Sequence, residues 1–127
     1  MEKKYRLLED DTITADGRTL YRIEALRDFV DVKKGDKGGY VEKEENLSHK
    51  GNCWVSDNAQ VCDNARVYGN ARVYGNALVS DNAMVLGNAL VLDNSLVSGN
   101  SLVSGDARVC GDDKISGGKH TGGVIDN

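Results

Sequence analysis

A valine stands at every sixth position between residues 55 and 109, and Ile115 keeps the same register. The residues before each valine from residue 61 onward follow the pattern (Gly/Asp)-(Asn/Asp)-(Ala/Ser)-x. A short period that repeats without a slip predicts a repeat fold in which each repeat packs on its neighbours. The apolar positions of the run are Val55, Val61, Val67, Val73, Val79, Val85, Val91, Val97, Val103, Val109 and Ile115.

Each hexapeptide has the chemistry of one short strand and one corner. Valine is β-branched and suits a strand whose side chain points inward, and the small Ala or Ser two residues earlier points the same way. The Gly/Asp and Asn positions accept left-handed backbone conformations at low cost. Three hexapeptides therefore close a triangular coil of 18 residues, and stacked coils lie about 4.8 Å apart.

Residues 18 apart are expected to stack in such a fold. Corner asparagines such as Asn58, Asn76 and Asn94 can then hydrogen-bond along the stack. The predicted inner columns are Val55, Val73, Val91 and Val109; Val61, Val79, Val97 and Ile115; and Val67, Val85 and Val103.

The first 40 residues lack the six-residue period. Alternation and turn chemistry predict two short strands, a hairpin turn and a return strand, at residues 5–8, 12–14, 15–18 and 19–26. The end of the return strand has an alternative helical interpretation through residues 27–29. A small β-rich cap is expected here, because an uncovered solenoid end exposes unpaired strand edges.

Three segments follow from these patterns. We predict a cap over residues 1–40, a β-solenoid over residues 41–116 and a glycine-rich tail over residues 117–127. Residues 33–39 are rich in lysine and glycine but lack the spacing GxxxxGK[ST] of a phosphate-binding loop, so a plain turn is expected. Val124 and Ile125 are candidates to cover the lower end.

The period stretches to eight residues between Leu47 and Val55, which predicts a bulged corner around His49. His49 is expected to be a solvated histidine, because no carboxylate or second histidine stands nearby to orient it. His120 lies in the glycine-rich tail and is expected to be part of it.

Composition narrows the classes of partner. The net charge of −4 and pI near 5.1 argue against non-specific nucleic-acid binding. The chain has no run of about 18 apolar residues that would span a membrane, and its first residues lack the apolar core of a signal peptide. Cys53, Cys62 and Cys110 have neither metal nor disulfide spacing. We therefore expect a cytoplasmic protein with reduced thiols, no metal and no cofactor.

The segments Gly69-Asn70-Ala71-Arg72-Val73-Tyr74 and Gly75-Asn76-Ala77-Leu78-Val79-Ser80 resemble the hexapeptide repeat of left-handed parallel β-helix proteins. The resemblance implies an all-β triangular prism with a left-handed turn. Residues 38–41, 46–48 and 51–55 are similar to a subgroup found in bacteria and their phages. Those proteins carry a short β cap and are often labelled as transferases without a demonstrated activity.

The wider superfamily includes acyltransferases and gamma-class carbonic anhydrases, usually as trimers. The acyltransferases use a histidine as general base beside an extruded loop, and the carbonic anhydrases need three zinc-binding histidines. Residues 55–115 contain neither a loop nor a histidine, and the chain has only His49 and His120. The departures favour a non-catalytic protein. Two alternatives stay open: an acyltransferase that uses acyl-CoA at a trimer interface with His49 or His120 as base, and a purely structural module.

Outward positions of the middle coils are apolar as well. Such a dense apolar belt indicates an interface, and we predict a homo-oligomer, in particular a trimer. The alternative is that the cap or the tail covers one face. The belt consists of Leu78, Met84, Leu86, Leu90, Leu92, Leu96 and Leu102.

Other outward residues are candidates for ligand binding in grooves between subunits. Arginine and aromatic rings together suit an anionic, planar ligand such as a nucleotide, although solvated arginines and interface tyrosines would give the same pattern. These candidates are Trp54, Arg66, Tyr68, Arg72, Tyr74 and Arg108. The sequence thus predicts a binding protein whose partner is a host protein or a small anionic signal, as in a phage anti-defence protein.

Overall fold

A computed structural model describes residues 3–15 and 17–126, with side chains described to residue 123. The regular structure of this part is β-strand apart from one short 3-10 helix, η1 (Glu44–Asn46). The strands before η1 are β1 (Tyr5–Ala15), β2 (Arg18–Ala25) and β3 (Lys37–Val41). No helix within the described residues is long and apolar enough to cross a membrane.

The solenoid strands are two or three residues long and recur every six residues from Trp54 to Ile115. Their parallel stacking forms a β-solenoid of about four coils, which confirms the predicted fold class. They are β4 (Trp54–Val55), β5 (Gln60–Val61), β6 (Arg66–Val67), β7 (Arg72–Val73), β8 (Leu78–Val79), β9 (Met84–Val85), β10 (Leu90–Val91), β11 (Leu96–Val97), β12 (Leu102–Val103), β13 (Arg108–Cys110), β14 (Lys114–Ile115), β15 (Lys119–His120) and β16 (Val124–Asp126).

The solenoid has three faces, and each predicted column lies behind one of them. The first face is β4-β7-β10-β13-β16, the second is β5-β8-β11-β14, and the third is β6-β9-β12-β15. Neighbouring strands pair residues 18 apart, for example Val61 with Val79 and Val67 with Val85. Every valine from residue 55 to residue 109 is fully buried. The inward valine register is therefore confirmed.

The corners show which residue turns the chain. The left-handed residue is the Gly/Asp of each repeat, with φ between 57° and 71° from residue 57 to residue 111, and not the Asn that follows it. Where that residue is aspartate, its carboxylate accepts the backbone N–H one coil further along: Asp57 from Gly75 at 3.1 Å and Asp81 from Gly99 at 2.9 Å. This hydrogen bond offsets part of the cost of a positive φ.

The expected asparagine stack is present in two places. The Asn76 amide donates to Asn94 at 3.2 Å, and the Asn70 amide donates to Asn88 at 3.3 Å. Both pairs are exposed, so they contribute little to the free energy of unfolding compared with the buried columns.

The cap continues the second face. β1 and β2 form an antiparallel hairpin with a bulge between Leu8 and Thr12. β3 pairs with β2 in antiparallel fashion and with β5 in parallel fashion, which makes one seven-stranded sheet. Tyr5 and Ile23 belong to the same buried cluster as the valine columns. Cap and solenoid thus share one core.

Three local predictions differ from the structure. Residues 27–29 form no helix, and instead Phe29 pairs with Val32 across a two-residue turn. The predicted turn over residues 33–39 ends at residue 36, because β3 starts at Lys37. Gly39 is required there, since a Cβ atom on it would lie 2.5 Å from the Ala59 carbonyl oxygen. Residues 119–120 and 124–126 extend two faces of the solenoid by pairing with β12 and β13, where a loose tail was expected.

Candidate functional site

The third face carries a groove below the 3-10 helix, which we call the η1 groove. It has a volume of about 350 Å³ and lies where the first solenoid coil meets the irregular turn that follows η1. The wall and floor combine apolar, aromatic and charged groups. They are formed by Glu44, Glu45, Leu47, Ser48, His49, Arg66, Val67, Tyr68 and Met84.

The floor of the groove follows from the solenoid register. Leu47 forms a parallel bridge with Val67, and both are fully buried. Asn46 is also buried, and its side chain fixes the backbone before η1. Its Oδ1 atom accepts the backbone N–H groups of Glu42 and Lys43 at 3.0 Å and 2.9 Å. Its amide donates to the Ala65 carbonyl at 2.9 Å. The Asn46 side chain therefore ties the residues before η1 to the solenoid backbone at Ala65.

His49 is not the solvated histidine that was predicted. Its side chain is 16% exposed, and its ring stacks on Tyr5 with centroids 4.2 Å apart. The Nδ1 atom accepts the Lys4 backbone N–H at 3.1 Å, and the Nε2 atom lies 2.8 Å from the Glu44 carboxylate. The tautomer with its proton on Nε2 satisfies both contacts. Both ring nitrogens are thus engaged.

The carboxylate of Glu44 completes a small polar cluster beside the groove. The hydrogen bond to His49, together with Lys3 at 3.1 Å, lowers the pKa of Glu44 below its ordinary value of 4.5. Glu44 therefore stays ionised and orients the imidazole. The sequence pattern does not predict a role for Glu44, although its position five residues before His49 is a usable signal.

Arg66, Tyr68 and Met84 form the solenoid side of the groove. Arg66 is exposed and forms no ion pair with any described residue. The Tyr68 hydroxyl lies 3.6 Å from the Met84 sulfur. Two of the six predicted ligand-binding residues, Arg66 and Tyr68, therefore lie together in this groove. Met84, predicted as an interface residue, and His49, predicted as an alternative base, line the same groove.

Trp54 occupies a different environment from the one predicted for it. It is 3% exposed, with Tyr5 and Phe29 packed edge-on against its ring at centroid distances of 6.3 Å and 5.2 Å. The position faces out of the solenoid, as expected, but the cap covers it. Trp54 is therefore a packing residue at the junction and does not line an open groove.

The same junction holds a buried lysine. The Lys4 ammonium donates to the Cys53 carbonyl at 2.6 Å and lies 3.3 Å from the Cys53 sulfur. Burial lowers the pKa of Lys4 and raises the pKa of the Cys53 thiol. Burial also raises the pKa of the Tyr5 hydroxyl, which donates to the carbonyls of Glu44 and Leu47. This cluster is closed and serves to fasten the cap.

The remaining ligand-binding candidates are on the first face. Arg72 is half-buried and donates to the Asp31 carboxylate at 2.7 Å, so the cap engages it too. Tyr74 is partly buried and Arg108 is exposed further down the face. The structure does not bring these three residues into the η1 groove.

The predicted belt residues do point outward. Met84 is 39% exposed, and the six leucines are partly exposed. Leu78 lies beside Leu96 on the second face, and Met84 beside Leu102 on the third. The belt therefore has contiguous apolar neighbours on the second and third faces. On the first face Leu90 lies between Arg72 and Arg108.

His120 lies at the opposite end of the third face from His49. It stands in register with Val103, and its Nε2 atom is 3.2 Å from the Gly117 carbonyl oxygen. No cluster of three or more His, Cys, Asp or Glu side chains in the described ranges could hold a metal ion.

The coils that carry the groove match a known repeat. The family described as YdcK beta solenoid repeat matches residues 59–74 and 71–86. These residues are similar to YdcK β-solenoid repeats. The match confirms the hexapeptide resemblance and, with the stacked strands, the solenoid fold. The matched residues include Arg66, Tyr68 and Met84 but not η1 or His49.

A curated protein of Escherichia coli (strain K12) is similar over part of its length. It is described as "Uncharacterized acetyltransferase YdcK" and is 39% identical over 62 residues. The alignment covers 43% of this chain and 19% of that protein. The chain therefore spans about a fifth of the length of this relative.

Proposed function

We propose that this protein is a non-catalytic interaction module that assembles as a homo-oligomer, in particular a trimer. The observation that supports this most is the belt of partly exposed apolar side chains on all three faces of the middle coils. Single exposed leucines are ordinary, but contiguous apolar strips on a small monomer indicate a surface that is covered.

The geometry of His49 argues against acid–base chemistry. A general base needs a free ring nitrogen within reach of the proton that it takes. The Nδ1 atom of His49 accepts a backbone N–H, and its Nε2 atom contacts Glu44. The solenoid from residue 55 to residue 115 is also unbroken by any loop that would bring another base to this face.

The η1 groove supports a finer form of the proposal. Arg66 and Tyr68 present a guanidinium and an aromatic ring side by side, which suits a planar anionic ligand such as a nucleotide, or an acidic side chain of a protein. The resemblance to phage proteins suggests an anti-defence role. In that role the protein would bind a host protein or sequester a nucleotide signal.

Acyl transfer is the second candidate, because the curated relative is described as an acetyltransferase. In this alternative acyl-CoA would bind between subunits, with His49 or His120 as base. His120 is the better placed of the two, since it is only partly buried and contacts a single backbone carbonyl.

Light scattering tests the assembly. We expect a molar mass three times the 13.7 kDa of one chain, unchanged on dilution through the micromolar range. A monomer at every concentration would contradict the proposal, because the belt would then be exposed.

Thermal shift and turnover assays separate the two candidate functions. Acetyl-CoA and a panel of mono-, di- and cyclic nucleotides are added to the protein, to Arg66→Ala and to His120→Ala. A nucleotide-induced shift that Arg66→Ala abolishes supports anion binding. Acetyl transfer to an acceptor amine that His120→Ala abolishes would replace the non-catalytic proposal with the acyltransferase.

A further inference from the structure

We propose that Val30 of one copy inserts into the η1 groove of a neighbouring copy and that this contact, repeated around a threefold axis, closes the trimer. The inference rests on the self-association proposed above and names the surface that makes it. Val30 and Met84 are the two large apolar side chains that the described residues leave exposed, at 64% and 39%. Met84 lines the η1 groove.

The backbone at Val30 is strained. Its φ is +50°, a left-handed conformation that a β-branched residue adopts only at a cost. Val30 stands in a two-residue turn, where Phe29 and Val32 exchange backbone hydrogen bonds of 2.9 Å and 2.8 Å. Glycine or asparagine would relieve the strain at this position. The exposed valine side chain gains no burial within its own chain, so a partner that covers it accounts for its presence.

The turn is held rigidly in position. The Asp31 carboxylate accepts a hydrogen bond from Arg72 at 2.7 Å, and the Asp28 carboxylate accepts one from the Lys34 backbone at 2.8 Å. Phe29 packs on Trp54 beneath the turn. A protrusion that is already ordered loses little conformational entropy when it binds.

The groove matches the turn in size and in charge. Its volume of about 350 Å³ accommodates a valine side chain beside the apolar groups of Tyr68 and Met84. Its rim carries one cation, Arg66, and one anion, Glu45, which form no ion pair with a described residue. The turn carries the opposite pair: Asp31 is 73% exposed despite its bond to Arg72, and Lys33 is exposed two residues later. Opposite charges therefore meet in both directions.

The positions along the solenoid favour a ring. Asp31 joins the turn to Arg72 on the first face, and Arg66 lies one hexapeptide earlier, on the third face. The two sites thus differ in height by about a third of a coil, on the order of 2 Å. Two copies with parallel solenoid axes can therefore bring the turn of one copy to the η1 groove of the other by a rotation, with almost no shift along the axis. Because the two surfaces differ, the contact is heterologous, and it closes into a trimer where the rotation between neighbouring copies is a third of a turn.

Two substitutions test the contact in the full chain. Val30→Gly removes the inserted side chain and relieves the strain, and Met84→Glu places a charge on the groove wall. Each is expected to weaken association on the order of thirty-fold or more, as loss of a central interface anchor does. Sedimentation velocity measures the association and far-UV circular dichroism the fold. Asp57→Gly is the matched control, because it also replaces an exposed residue at positive φ, on a corner outside the contact.

Disulfide trapping identifies the geometry. In a background with Cys62 and Cys110 replaced by serine, Val30→Cys and Met84→Cys are combined in one chain and oxidised. A covalent trimer on a non-reducing gel is expected from the double variant and no cross-link from either single variant. Cross-linking of Val30→Cys alone would show that two turns meet each other and would overturn the proposal. A wild-type oligomer that both Val30→Gly and Met84→Glu leave intact overturns this contact only, whereas a monomeric wild type overturns the self-association itself.

Discussion

The cap junction and the solenoid solve the same packing problem in opposite ways. In the solenoid, each buried valine has a valine one coil above or below it, and the environment repeats every 18 residues. At the junction every contact is unique: Tyr5 stacks on His49, Trp54 meets Phe29, and Lys4 is buried against Cys53. The solenoid provides a regular, extended surface. The cap junction brings together side chains that each have a distinct environment.

The pKa shifts follow the same division. The pKa departs from its ordinary value at Lys4, Tyr5, Asp31, Glu44 and Cys53. All of them belong to the cap or to the turn that joins it to the first coil. Both proposed contact surfaces, the turn at Val30 and the η1 groove, lie in that region as well. Specific recognition is thus expected near the junction, and general apolar association along the belt.

The largest effect is expected from breaking the junction. Trp54→Ala should lower the free energy of unfolding by about 3–5 kcal/mol, because it removes a large buried ring between the cap and the first coil. Arg108→Ala is the matched control, since Arg108 occupies the same outward position three coils further along the first face and is exposed. Urea denaturation should show a change of at most about 0.5 kcal/mol for the control. Equal losses would contradict the distinction between the two regions.

A core substitution in the solenoid should have a smaller and position-independent effect. Val79→Ala and Val97→Ala each remove two methyl groups from the same column, and each should cost about 2 kcal/mol. Because the two environments repeat, the losses should agree within about 0.5 kcal/mol. Urea denaturation of the two variants measures this. Losses that differ by more than about 1 kcal/mol would show that the coils are not equivalent.

The corner aspartates should show an effect of about 1 kcal/mol. Asp81→Ala keeps the positive φ of 58° but loses the hydrogen bond to the Gly99 N–H, whereas Asp81→Gly loses the same bond and relieves the backbone. We therefore expect the alanine variant to be less stable than the glycine variant by about 1 kcal/mol. Melting temperatures of the two proteins give the comparison. A glycine variant less stable than the alanine variant would contradict this account of the corner.

The solenoid could be predicted in detail because its contacts are periodic. Once Val61 is assigned inward, the period places Val79 beside it. The same period assigns the residues on either side of each valine to the outside. The junction could not be predicted in this way. His49 meets the Lys4 backbone across 45 residues, and Tyr5 reaches the Leu47 carbonyl across 42. No period links such positions, so the burial of Trp54 and the orientation of His49 depend on how the cap folds back.

Part of the site was nevertheless accessible from the sequence. Arg66, Tyr68 and Met84 were assigned outward from the register alone, and they line the η1 groove. The groove itself depends on η1 (Glu44–Asn46), which does not follow the six-residue period and so could not be predicted from it. The positive φ of Val30 was equally hidden, because valine is a poor predictor of a tight turn.

The smallest effect concerns the carboxylate that orients His49. The hydrogen bond to His49 lowers the pKa of Glu44, so its contribution to stability is present above the ordinary value of 4.5 and is lost as the pH falls through the lowered pKa. The gap in unfolding free energy between wild type and Glu44→Gln should therefore be largest at about pH 6 and narrow as the pH falls below 4.5. The gap should stay below about 1 kcal/mol, because the Glu44 side chain is 44% exposed. Urea denaturation across this range measures it, with Glu45→Gln as the neighbouring control. A gap that widens on acidification, or an equal gap for Glu45→Gln, would show that the pairing with His49 does not stabilise the junction.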